Sequence, residues 1–470
     1  VTDVVIIGGG PGGYEAALVA RQLGGRVTLV ERRGVGGSAV LTDVVPSKTL
    51  IAAAEVMTKI RSAEELGLHL VGDDRRLGAA VGVDLGRVHA RIRGLAQAQS
   101  GDIADRLRTD GVRVIAGTGR LDGPQRVIAQ TADGEETLPA DIVLVATGAH
   151  PRELGSALPD GERIFTWSQI YDLQEVPEHL VVVGSGVTGA EFASAYTALG
   201  VPVTLVSSRH QVLPGHDDDA ARVIQQVFEN SGMTVLNGAR AVGAERHGDE
   251  VVVRLGDGST VSGSHCLMAV GAIPNTAHIG LEEAGVRLTA SGHIEVDRVS
   301  RTSARGVYAA GDCTPVFALA SVAAMQGRIA MWHSLGDSVA PLDLRTVSAN
   351  VFTAPEIATV GCSQTDIDTG VVRGLTMMLP LRGNARAKMQ ALHDGFVKIF
   401  CLPTTGIIVG AVVVAPAASE LIHPLSVAVR NKLTVDQLAE SFTVYPSLSG
   451  SLAEAARRLH GHSSDQVITY

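Results

Sequence analysis

The chain carries one pattern twice, and this repeat restricts the available folds more than any other feature. Residues 4–33 read VVIIGGGPGGYEAALVARQLGGRVTLVERR, and residues 180–209 read LVVVGSGVTGAEFASAYTALGVPVTLVSSR. Each copy predicts a buried strand, a glycine-rich turn, a helix and a second strand that ends in VTLV, which together form a βαβ unit. Two such units predict an α/β protein with parallel sheets.

Both glycine-rich turns have the spacing GxGxxG, with Gly8, Gly10 and Gly13 in the first copy and Gly184, Gly186 and Gly189 in the second. The first glycine permits the tight turn, the second lets a pyrophosphate approach the backbone, and the third lets the helix pack on the strand. The helix N-terminus then faces the negative phosphates. One GxGxxG is a weak signal, but two copies in the same strand–turn–helix context predict two dinucleotide sites.

The two copies differ where the second strand ends, at the position whose side chain contacts a ribose. The first copy has Glu31 there, whereas the second has Ser207, followed by Ser208 and Arg209. An acidic side chain would repel a 2′-phosphate, while a small hydroxyl beside an arginine favours one. The second site is therefore predicted to accept NADPH, with NADH as the other nucleotide. The alternative is that Arg209 is only a solvated loop residue.

Other predicted strands also end in glycine-containing turns, which is where an open α/β sheet binds ligands. They are Ile142–Val145 before Ala146-Thr147-Gly148, Leu267–Val270 before Gly271, and Val307–Ala310 before Gly311-Asp312. The pattern changes after about residue 345. Strands at Val397–Phe400 and Ile407–Val414, followed by helices around 416–430 and 434–440, predict a separate α+β domain.

Charge and composition exclude several classes of function. The formal net charge of −10 argues against a general nucleic-acid surface. The longest apolar run, Ile407–Ala418, is too short to span a bilayer, and Val1–Ile7 predict a strand rather than a signal sequence. None of the 4 cysteines has the CxxC or CxxxxC spacing of a metal site or a redox disulfide. Sparse unpaired cysteines are typical of a reducing compartment, so we expect a cytoplasmic protein without a metal.

Motifs along nearly the whole chain resemble the pyridine nucleotide-disulfide oxidoreductases, a family that includes dihydrolipoamide dehydrogenase, glutathione reductase and mercuric reductase. Besides both fingerprints, these motifs are Pro46-Ser47-Lys48, ATG at 146–148, GVYAAGD at 306–312, LASVAAMQG at 319–327 and VFTAPEIATVG at 351–361. The resemblance implies two Rossmann-like domains, for FAD at 1–150 with 278–344 and for NAD(P) at 151–277, and a dimerisation domain at 345–470. It also implies a homodimer in which the partner's C-terminal segment completes each active site.

The resemblance further assigns roles at an FAD site. It places Glu31 at the adenosine ribose, Asp312 at the ribityl chain, the Leu319–Ala320 backbone at the pyrimidine edge of the flavin, and Gly119 and Thr147-Gly148 along the adenosine and pyrophosphate. Lys48 and Glu191 resemble the ion pair beside flavin N5, where a fixed positive charge stabilises the negative charge that a hydride brings. The alternative for Lys48 is an ordinary lysine on a helix face.

The chain departs from the family at the residues of the thiol chemistry. Where the family reads GGTCxxxxCxPSK, residues 36–48 read GGSAVLTDVVPSK, so Ala39 and Val44 occupy the cysteine positions. Neither side chain can form a thiolate or a mixed disulfide. The family's His-Pro-…-Glu base motif is replaced by YPSLSG at 445–450, with Tyr445 in place of the histidine and Gly450 in place of the glutamate. We therefore expect the thiol half-reaction to be absent and hydride transfer from NAD(P)H to FAD to remain.

These departures resemble a cysteine-less branch of the family, known from mycobacteria, whose members reduce quinones. The resemblance extends to GSGVTGAEF at 184–192 and VYPSLSGS at 444–451. It implies NAD(P)H:quinone reduction, with Tyr445 of the partner subunit donating a hydrogen bond to a quinone oxygen; the alternative for Tyr445 is a packing aromatic at the dimer interface. Two other functions stay open: a soluble pyridine nucleotide transhydrogenase, and a low-turnover flavoprotein that acts as a binding partner.

Overall fold

The computed structural model describes residues 1–71 and 76–460. The strands are, in chain order, β1 (Asp3–Ile7), β2 (Arg26–Glu31), β3 (Arg113–Ala116), β4 (Thr118–Leu121), β5 (Arg126–Thr131), β6 (Gly134–Pro139), β7 (Ile142–Val145), β8 (Ala149–Pro151), β9 (Ile164–Thr166), β10 (Leu180–Val183), β11 (Val203–Val206), β12 (Thr234–Leu236), β13 (Ala241–His247), β14 (Glu250–Leu255), β15 (Thr260–Gly263), β16 (His265–Met268), β17 (Ala272–Pro274), β18 (Val307–Ala309), β19 (Ser348–Val351), β20 (Glu356–Gly361), β21 (Leu375–Pro380), β22 (Phe396–Cys401) and β23 (Ile408–Ala415). The helices are α1 (Pro11–Gln22), α2 (Gly37–Leu41), α3 (Val44–Ser62), α4 (Leu77–Ala80), α5 (Leu85–Thr109), α6 (Val187–Ala198), α7 (Asp218–Asn230), α8 (Ala320–Ser334), α9 (Gln364–Asp368), α10 (Ala385–Met389), α11 (Ala418–Asn431), α12 (Val435–Glu440) and α13 (Gly450–Leu459).

The first of two compact units comprises Val1–Thr49, Arg87–Arg152 and Gly271–Asp343. Its main sheet has the strand order β18-β7-β1-β2-β3, and every neighbouring pair is parallel. Strand β7 (IVLV) is buried along its whole length, because Ile142 and Leu144 pack against helices on one face while Val143 and Val145 pack against the antiparallel strands β4, β5 and β6 on the other. The parallel arrangement brings the carboxyl ends of β1, β7 and β18 to one edge, where their glycine-containing turns follow.

The second unit comprises Leu50–Gly86, Glu153–Val270 and Leu344–Tyr470. It contains a parallel sheet of order β12-β11-β10-β16-β9, in which α6 connects β10 to β11. An antiparallel sheet of order β19-β20-β23-β22-β21 follows later in the chain, and its apolar residues form one core with those of α11, α12 and α13. The repeat seen in the sequence therefore folds as one βαβ unit in each of the two compact units.

The predicted fold class is confirmed, with two parallel Rossmann-like sheets and a C-terminal α+β part. The strand expected at Leu267–Val270 is instead β16 at His265–Met268, because its pairing with β10 ends where Met268 lies opposite Val183. The three domain ranges inferred from the resemblance stay a prediction, and their residues 72–75 and 461–470 lie outside the described residues. Among the helices of the described ranges, none combines the length and apolarity needed to cross a membrane.

Candidate cofactor sites

A cavity of about 660 Å³ lies in the first unit, beside the carboxyl ends of β1, β7 and β18. Its lining contains most of the residues predicted to hold FAD, namely Gly8, Gly10, Glu31, Gly119, Thr147, Gly148, Gly311, Asp312 and Ala320. Three other predicted residues lie elsewhere: Gly13 is buried on α1, Lys48 is on α3, and Leu319 precedes α8. The fold thus brings together side chains and turns from four separate stretches of the sequence.

The first glycine turn leaves one open position in front of α1. Gly8 has φ 102°, and a Cβ there would lie 2.2 Å from the Ala146 carbonyl oxygen. A Cβ on Gly13 would lie 1.9 Å from the Gly8 carbonyl oxygen, so these two glycines are required by the fold itself. Gly10 differs, because a Cβ there would meet no atom within 4 Å. The space in front of Gly10 suits a ligand that must approach the backbone, as a pyrophosphate does.

The second glycine turn repeats this geometry in the second unit. Gly184 has φ 110°, and its Cβ would lie 2.2 Å from the Ala269 carbonyl oxygen. A Cβ on Gly189 would lie 1.8 Å from the Gly184 carbonyl oxygen, whereas one on Gly186 would meet no atom within 4 Å. Each turn therefore has two glycines that the fold requires and one that faces open space.

Both helices that follow these turns begin without a side-chain cap. Gly10 and Gly186 are their N-cap residues and have nearly the same backbone conformation, φ −68°, ψ −176° and φ −70°, ψ −173°. An α-helix leaves N–H groups without intrahelical partners at its start, and its dipole places partial positive charge there. Phosphate groups of a dinucleotide are suited to both positions.

Glu31 at the end of β2 and Ser207 directly after β11 occupy equivalent positions but have different surroundings. The Glu31 carboxylate lines the cavity and accepts hydrogen bonds from the backbone N–H groups of Gly9 (2.6 Å) and Arg33 (2.7 Å). Ser207 is fully buried, and its hydroxyl lies 2.7 Å from that of Ser185 and accepts the N–H of Arg209 at 3.2 Å. Any ligand contact of Ser207 would have to replace these bonds. The Arg209 side chain is exposed.

The turn at Thr147–Gly148 is fixed by Asn275, which sequence reasoning missed. The Thr147 hydroxyl donates to the Asn275 carbonyl oxygen (2.8 Å), and the Asn275 amide group donates to the Thr147 carbonyl oxygen (2.9 Å). The Asn275 backbone N–H donates to the Gly148 carbonyl oxygen, also at 2.9 Å. The signal for it was the similarity of AVGAIPN at 269–275 to ATGAHP at 146–151, since β8 and β17 pair with each other directly beside this turn.

The turn at Gly311–Asp312 is held by Gln326 of α8. The buried Gln326 side chain accepts the Gly311 backbone N–H at 2.9 Å and donates to the Thr314 hydroxyl at 3.3 Å. Burial raises the pKa of Asp312 above its ordinary value of 3.8, and the nearby His293 opposes part of this effect. A half-buried carboxyl that lines a cavity is suited to bind a hydroxyl group of a ligand.

The cavity wall at the two family cysteine positions is apolar. Helix α2 begins after Gly36, and a Cβ on Gly37 would lie 2.8 Å from the Gly10 Cα, which holds α2 against the first glycine turn. Ala39 from α2 and Val44 from the start of α3 both line the cavity. Within the described ranges, no cysteine lines it.

The four cysteines lie elsewhere and are poor nucleophiles. Burial raises the pKa of Cys266 to about 12, and raises those of Cys313, Cys362 and Cys401 to about 11. Because a thiolate is the reactive form, these groups are inert near neutral pH. Cys313 follows Asp312 in the chain, but it is fully buried and its sulfur bonds backbone carbonyl oxygens.

Lys48 and Glu191 belong to different units. Lys48 is half-buried and is the fifth residue of α3. Glu191 lies on α6, is only 4% exposed, and accepts the backbone N–H of Phe352 at 2.9 Å. Phe352 belongs to the VFTAPEIATVG stretch, so that stretch orients the Glu191 carboxylate. The predicted pairing of Lys48 with Glu191 stays a prediction.

Gly271 and Tyr445, which were also predicted as site residues, lie in different parts of the structure. Gly271 of the first unit has φ 98°, and its carbonyl oxygen accepts the Arg152 backbone N–H at 2.9 Å. Tyr445 is 85% exposed and follows the exposed Phe442 and Val444. Nothing in the described ranges groups three or more His, Cys, Asp or Glu side chains so that they could hold a metal ion.

Comparison with known proteins identifies close relatives. Residues 2–327 match the family described as pyridine nucleotide-disulphide oxidoreductase, and residues 347–456 match the dimerisation domain of that family. An NAD(P)H dehydrogenase (quinone) of Mycobacterium tuberculosis is 55% identical over 98% of this chain and 94% of its own length. A dihydrolipoyl dehydrogenase of Geobacillus stearothermophilus is 31% identical over 97% of this chain and 95% of its own. The crystal structure of LpdA from Mycobacterium tuberculosis has a TM-score of 0.92 at 55% identity, covering 98% of this chain and 100% of that one.

Proposed function

The chain belongs to the pyridine nucleotide-disulphide oxidoreductase family, and on this premise we propose that it is an NAD(P)H:quinone oxidoreductase that works through FAD without a redox disulfide. One observation carries the proposal: Ala39 and Val44 replace the family's cysteine pair and form an apolar part of the cavity wall. Neither residue can relay electrons as a thiol. The relative named NAD(P)H dehydrogenase (quinone), 55% identical to this chain, supports a quinone as the acceptor.

FAD and NAD(P)H are the cofactors of this family. Bound FAD supplies the two-electron chemistry, because its ring accepts a hydride from a nicotinamide and can give electrons up to a second substrate. In our proposal the open position at Gly10 and the N-terminus of α1 hold the FAD pyrophosphate. Glu31 binds the adenosine ribose, Asp312 the ribityl chain, and the Leu319–Ala320 backbone the pyrimidine edge.

Lys48 is proposed to place a fixed positive charge beside flavin N5. A preorganised cation stabilises charge that develops during hydride transfer without any rearrangement at that moment. Glu191 is proposed to hold Lys48 in place, and the bond from the Phe352 N–H fixes the orientation of the Glu191 carboxylate. We propose Lys48, Glu191 and Tyr445 as the catalytic residues, with Glu191 as the partner of Lys48.

The second glycine turn is proposed to bind the nicotinamide nucleotide. The open position at Gly186 and the start of α6 suit its pyrophosphate, as Gly10 and α1 suit that of FAD. The exposed Arg209 is proposed to pair with the 2′-phosphate of NADPH, while Ser207 supports the Arg209 backbone from inside. This arrangement favours NADPH over NADH.

The acceptor is proposed to bind against the Ala39 and Val44 side of the cavity. Tyr445 of the partner subunit donates a hydrogen bond to a quinone oxygen, which requires a homodimer. The match to the dimerisation domain at 347–456 and the high exposure of Phe442 and Tyr445 support that assembly. We also propose three domains, binding FAD (1–150 with 278–344), NAD(P) (151–277) and the second subunit (345–470), in a cytoplasmic enzyme.

Turnover of the FAD-loaded protein with a panel of acceptors tests this function. With NADPH in excess, menadione should support rapid oxidation of NADPH, and lipoamide should support almost none. An absence of quinone-dependent turnover would contradict the proposal. Reduction of a NAD analogue in the absence of quinone would instead indicate a transhydrogenase. A flavin absorbance that does not bleach on mixing with NADPH would indicate a binding protein with negligible turnover.

A further inference from the structure

Asn384 joins two segments that are distant in the chain. It is the N-cap of α10, where its side-chain oxygen accepts the backbone N–H groups of Arg386 (2.8 Å) and Ala387 (3.2 Å). Its side-chain nitrogen donates to the Ser447 carbonyl oxygen at 3.0 Å and to the Ser451 hydroxyl at 2.8 Å. The amide oxygen faces two donors and the amide nitrogen faces a carbonyl oxygen, so one orientation of the side chain satisfies all four contacts.

The residues bonded by Asn384 lie directly after Tyr445. Ser451 is in the first turn of α13 and is only 2% exposed, and Ser447 is two residues beyond Tyr445. The Ser447 hydroxyl also accepts the Gly450 backbone N–H at 3.1 Å. The turn at 447–451 is therefore tied both to itself and to α10.

The residues before this turn have a different environment. Phe442, Val444 and Tyr445 are all highly exposed, with Tyr445 at 85%. An exposed side chain can act at one fixed place only if its backbone is ordered beforehand, because ordering it during binding costs conformational entropy. The turn that Asn384 holds is the point from which the Tyr445 segment projects.

We infer that Asn384 is a positioning residue for Tyr445: its amide N–H groups hold the turn after Tyr445 so that the phenol meets the acceptor in the partner subunit. This inference rests on the proposed function, in which Tyr445 of the partner subunit contacts the quinone. Loss of the two amide donors should weaken electron transfer to the quinone and leave hydride transfer from NADPH largely unchanged, because these donors bond Ser447 and Ser451 of the C-terminal segment.

The substitution Asn384→Asp separates the two functions of this side chain. Aspartate keeps an oxygen that caps α10 but lacks the N–H groups that reach Ser447 and Ser451. We expect kcat/KM for menadione to fall about tenfold, in line with the loss of two hydrogen bonds. The rate of flavin bleaching by NADPH should stay within about twofold of the parent value, because this step makes no use of the lost bonds. Backbone amide exchange in 446–451 should increase.

Ser363→Ala is a control for a local change at another helix N-terminus of the second unit. Ser363 caps α9 through a capping box with Asp366, and its substitution should change neither menadione kinetics nor amide exchange in 446–451. If Asn384→Asp does not fold, Ser451→Ala removes one of the two acceptors and provides the same comparison. Unchanged exchange and unchanged menadione kinetics in a folded Asn384→Asp protein would overturn the inference.

A double variant that combines Asn384→Asp with Tyr445→Phe tests the positioning role of Asn384 separately from the proposed role of Tyr445 at the quinone. If Asn384 acts through Tyr445, the double variant should lose no more kcat/KM for menadione than the more affected single variant. Additive losses would overturn the positioning role. If Tyr445→Phe alone leaves menadione kinetics unchanged, the role proposed for Tyr445 fails and the positioning role fails with it. If Tyr445→Phe lowers them and Asn384→Asp does not, only the positioning role fails.

Discussion

The ammonium group of Lys398 lies 2.7 Å from the carboxylate of Asp217, and both side chains are almost completely excluded from water. Lys398 also lies 2.6 Å from the Asp219 carboxylate. Lys398 is in the middle of β22, while Asp217 is the N-cap of α7 and accepts backbone N–H groups from Asp219 and Ala220. This ion pair joins the C-terminal sheet to the helix that follows the Arg209 loop.

Replacement of Lys398 with methionine should destabilise the protein strongly. It would leave the Asp217 carboxylate buried without its cation, and breaking a buried ion pair in this way costs roughly 3–5 kcal/mol of unfolding free energy. Urea denaturation measures the loss. Arg457→Ala, which removes an exposed ion pair with Glu454, is the control and should have a much smaller effect. Equal effects of the two substitutions would show that the buried pair adds nothing.

The cluster of Lys398, Asp217 and Asp219 should make the free energy of unfolding depend on pH. Burial raises the pKa of Asp219, but the bonds and charges of Lys398 and Arg222 outweigh it, so its pKa lies below the ordinary 3.8. A carboxyl whose pKa is lowered by folding contributes stability above its unfolded pKa, and that contribution disappears as the pH falls through the folded pKa. Unfolding free energy should therefore decrease as the pH falls below about 4, and less steeply in Asp219→Asn. Identical slopes in the two proteins would contradict this.

Alanine at the open glycines should separate cofactor binding from folding. A Cβ on Gly10 or Gly186 meets no atom within 4 Å, so both variants should fold with parent-like stability when no ligand is bound. Gly10→Ala should lose FAD on gel filtration, whereas Gly186→Ala should keep FAD and raise KM for NADPH by about tenfold or more, because the methyl group occupies the pyrophosphate position.

Gly8→Ala and Gly184→Ala are the matched controls for those two substitutions. Their Cβ atoms would lie 2.2 Å from carbonyl oxygens, so these variants should be unstable even without a ligand. Full FAD occupancy in Gly10→Ala, measured as the flavin-to-protein absorbance ratio, would show that the first turn is not where the FAD pyrophosphate lies.

Removal of the Lys48 charge should slow the hydride step. In Lys48→Met the rate at which NADPH bleaches the flavin should fall about 10²–10³-fold, the usual effect of losing one preorganised electrostatic group. Lys48→Arg keeps the charge and should retain much more of the rate. Stopped-flow absorbance measures both under anaerobic conditions. If NADPH bleached the flavin of Lys48→Met at the parent rate, Lys48 would have no role in hydride transfer and would be an ordinary lysine on a helix face.

The sequence predicted those parts of the fold that depend on local spacing. The GxGxxG pattern indicated which glycines are needed for the turn and which one faces a ligand, and Gly10 and Gly186 have that geometry. It could not reveal Asn275, which acts on a turn 128 residues away. Nor did it indicate that Lys398 in β22 is buried and paired with Asp217, which lies 181 residues away. The similarity of residues 269–275 to residues 146–151 points to the Asn275 contact, whereas the Lys398 contact depends on the packing of segments that are distant in the chain.

The equivalence of Glu31 and Ser207 in the two sequence copies predicted the location of Ser207 but not the surroundings of its side chain. Glu31 is the last residue of β2 and Ser207 directly follows β11, but the surroundings of the Ser207 hydroxyl depend on Ser185 of the glycine turn, which the strand-end rule does not consider. The pattern therefore predicted where Ser207 lies along the chain fold, but not which groups surround its hydroxyl, and its role at a ribose stays a prediction. Arg209, two residues later, has the exposure that the nucleotide proposal requires.

The most direct test asks whether any sulfur is needed for turnover. A single cysteine-free variant would carry alanine at all of Cys266, Cys313, Cys362 and Cys401. After loading with FAD, it can be assayed for NADPH oxidation with menadione and with lipoamide. We predict that menadione-dependent oxidation persists at the parent rate and that lipoamide reduction is negligible in both proteins. Loss of menadione turnover in the cysteine-free variant, or efficient lipoamide reduction by the parent, would contradict electron transfer without a sulfur relay.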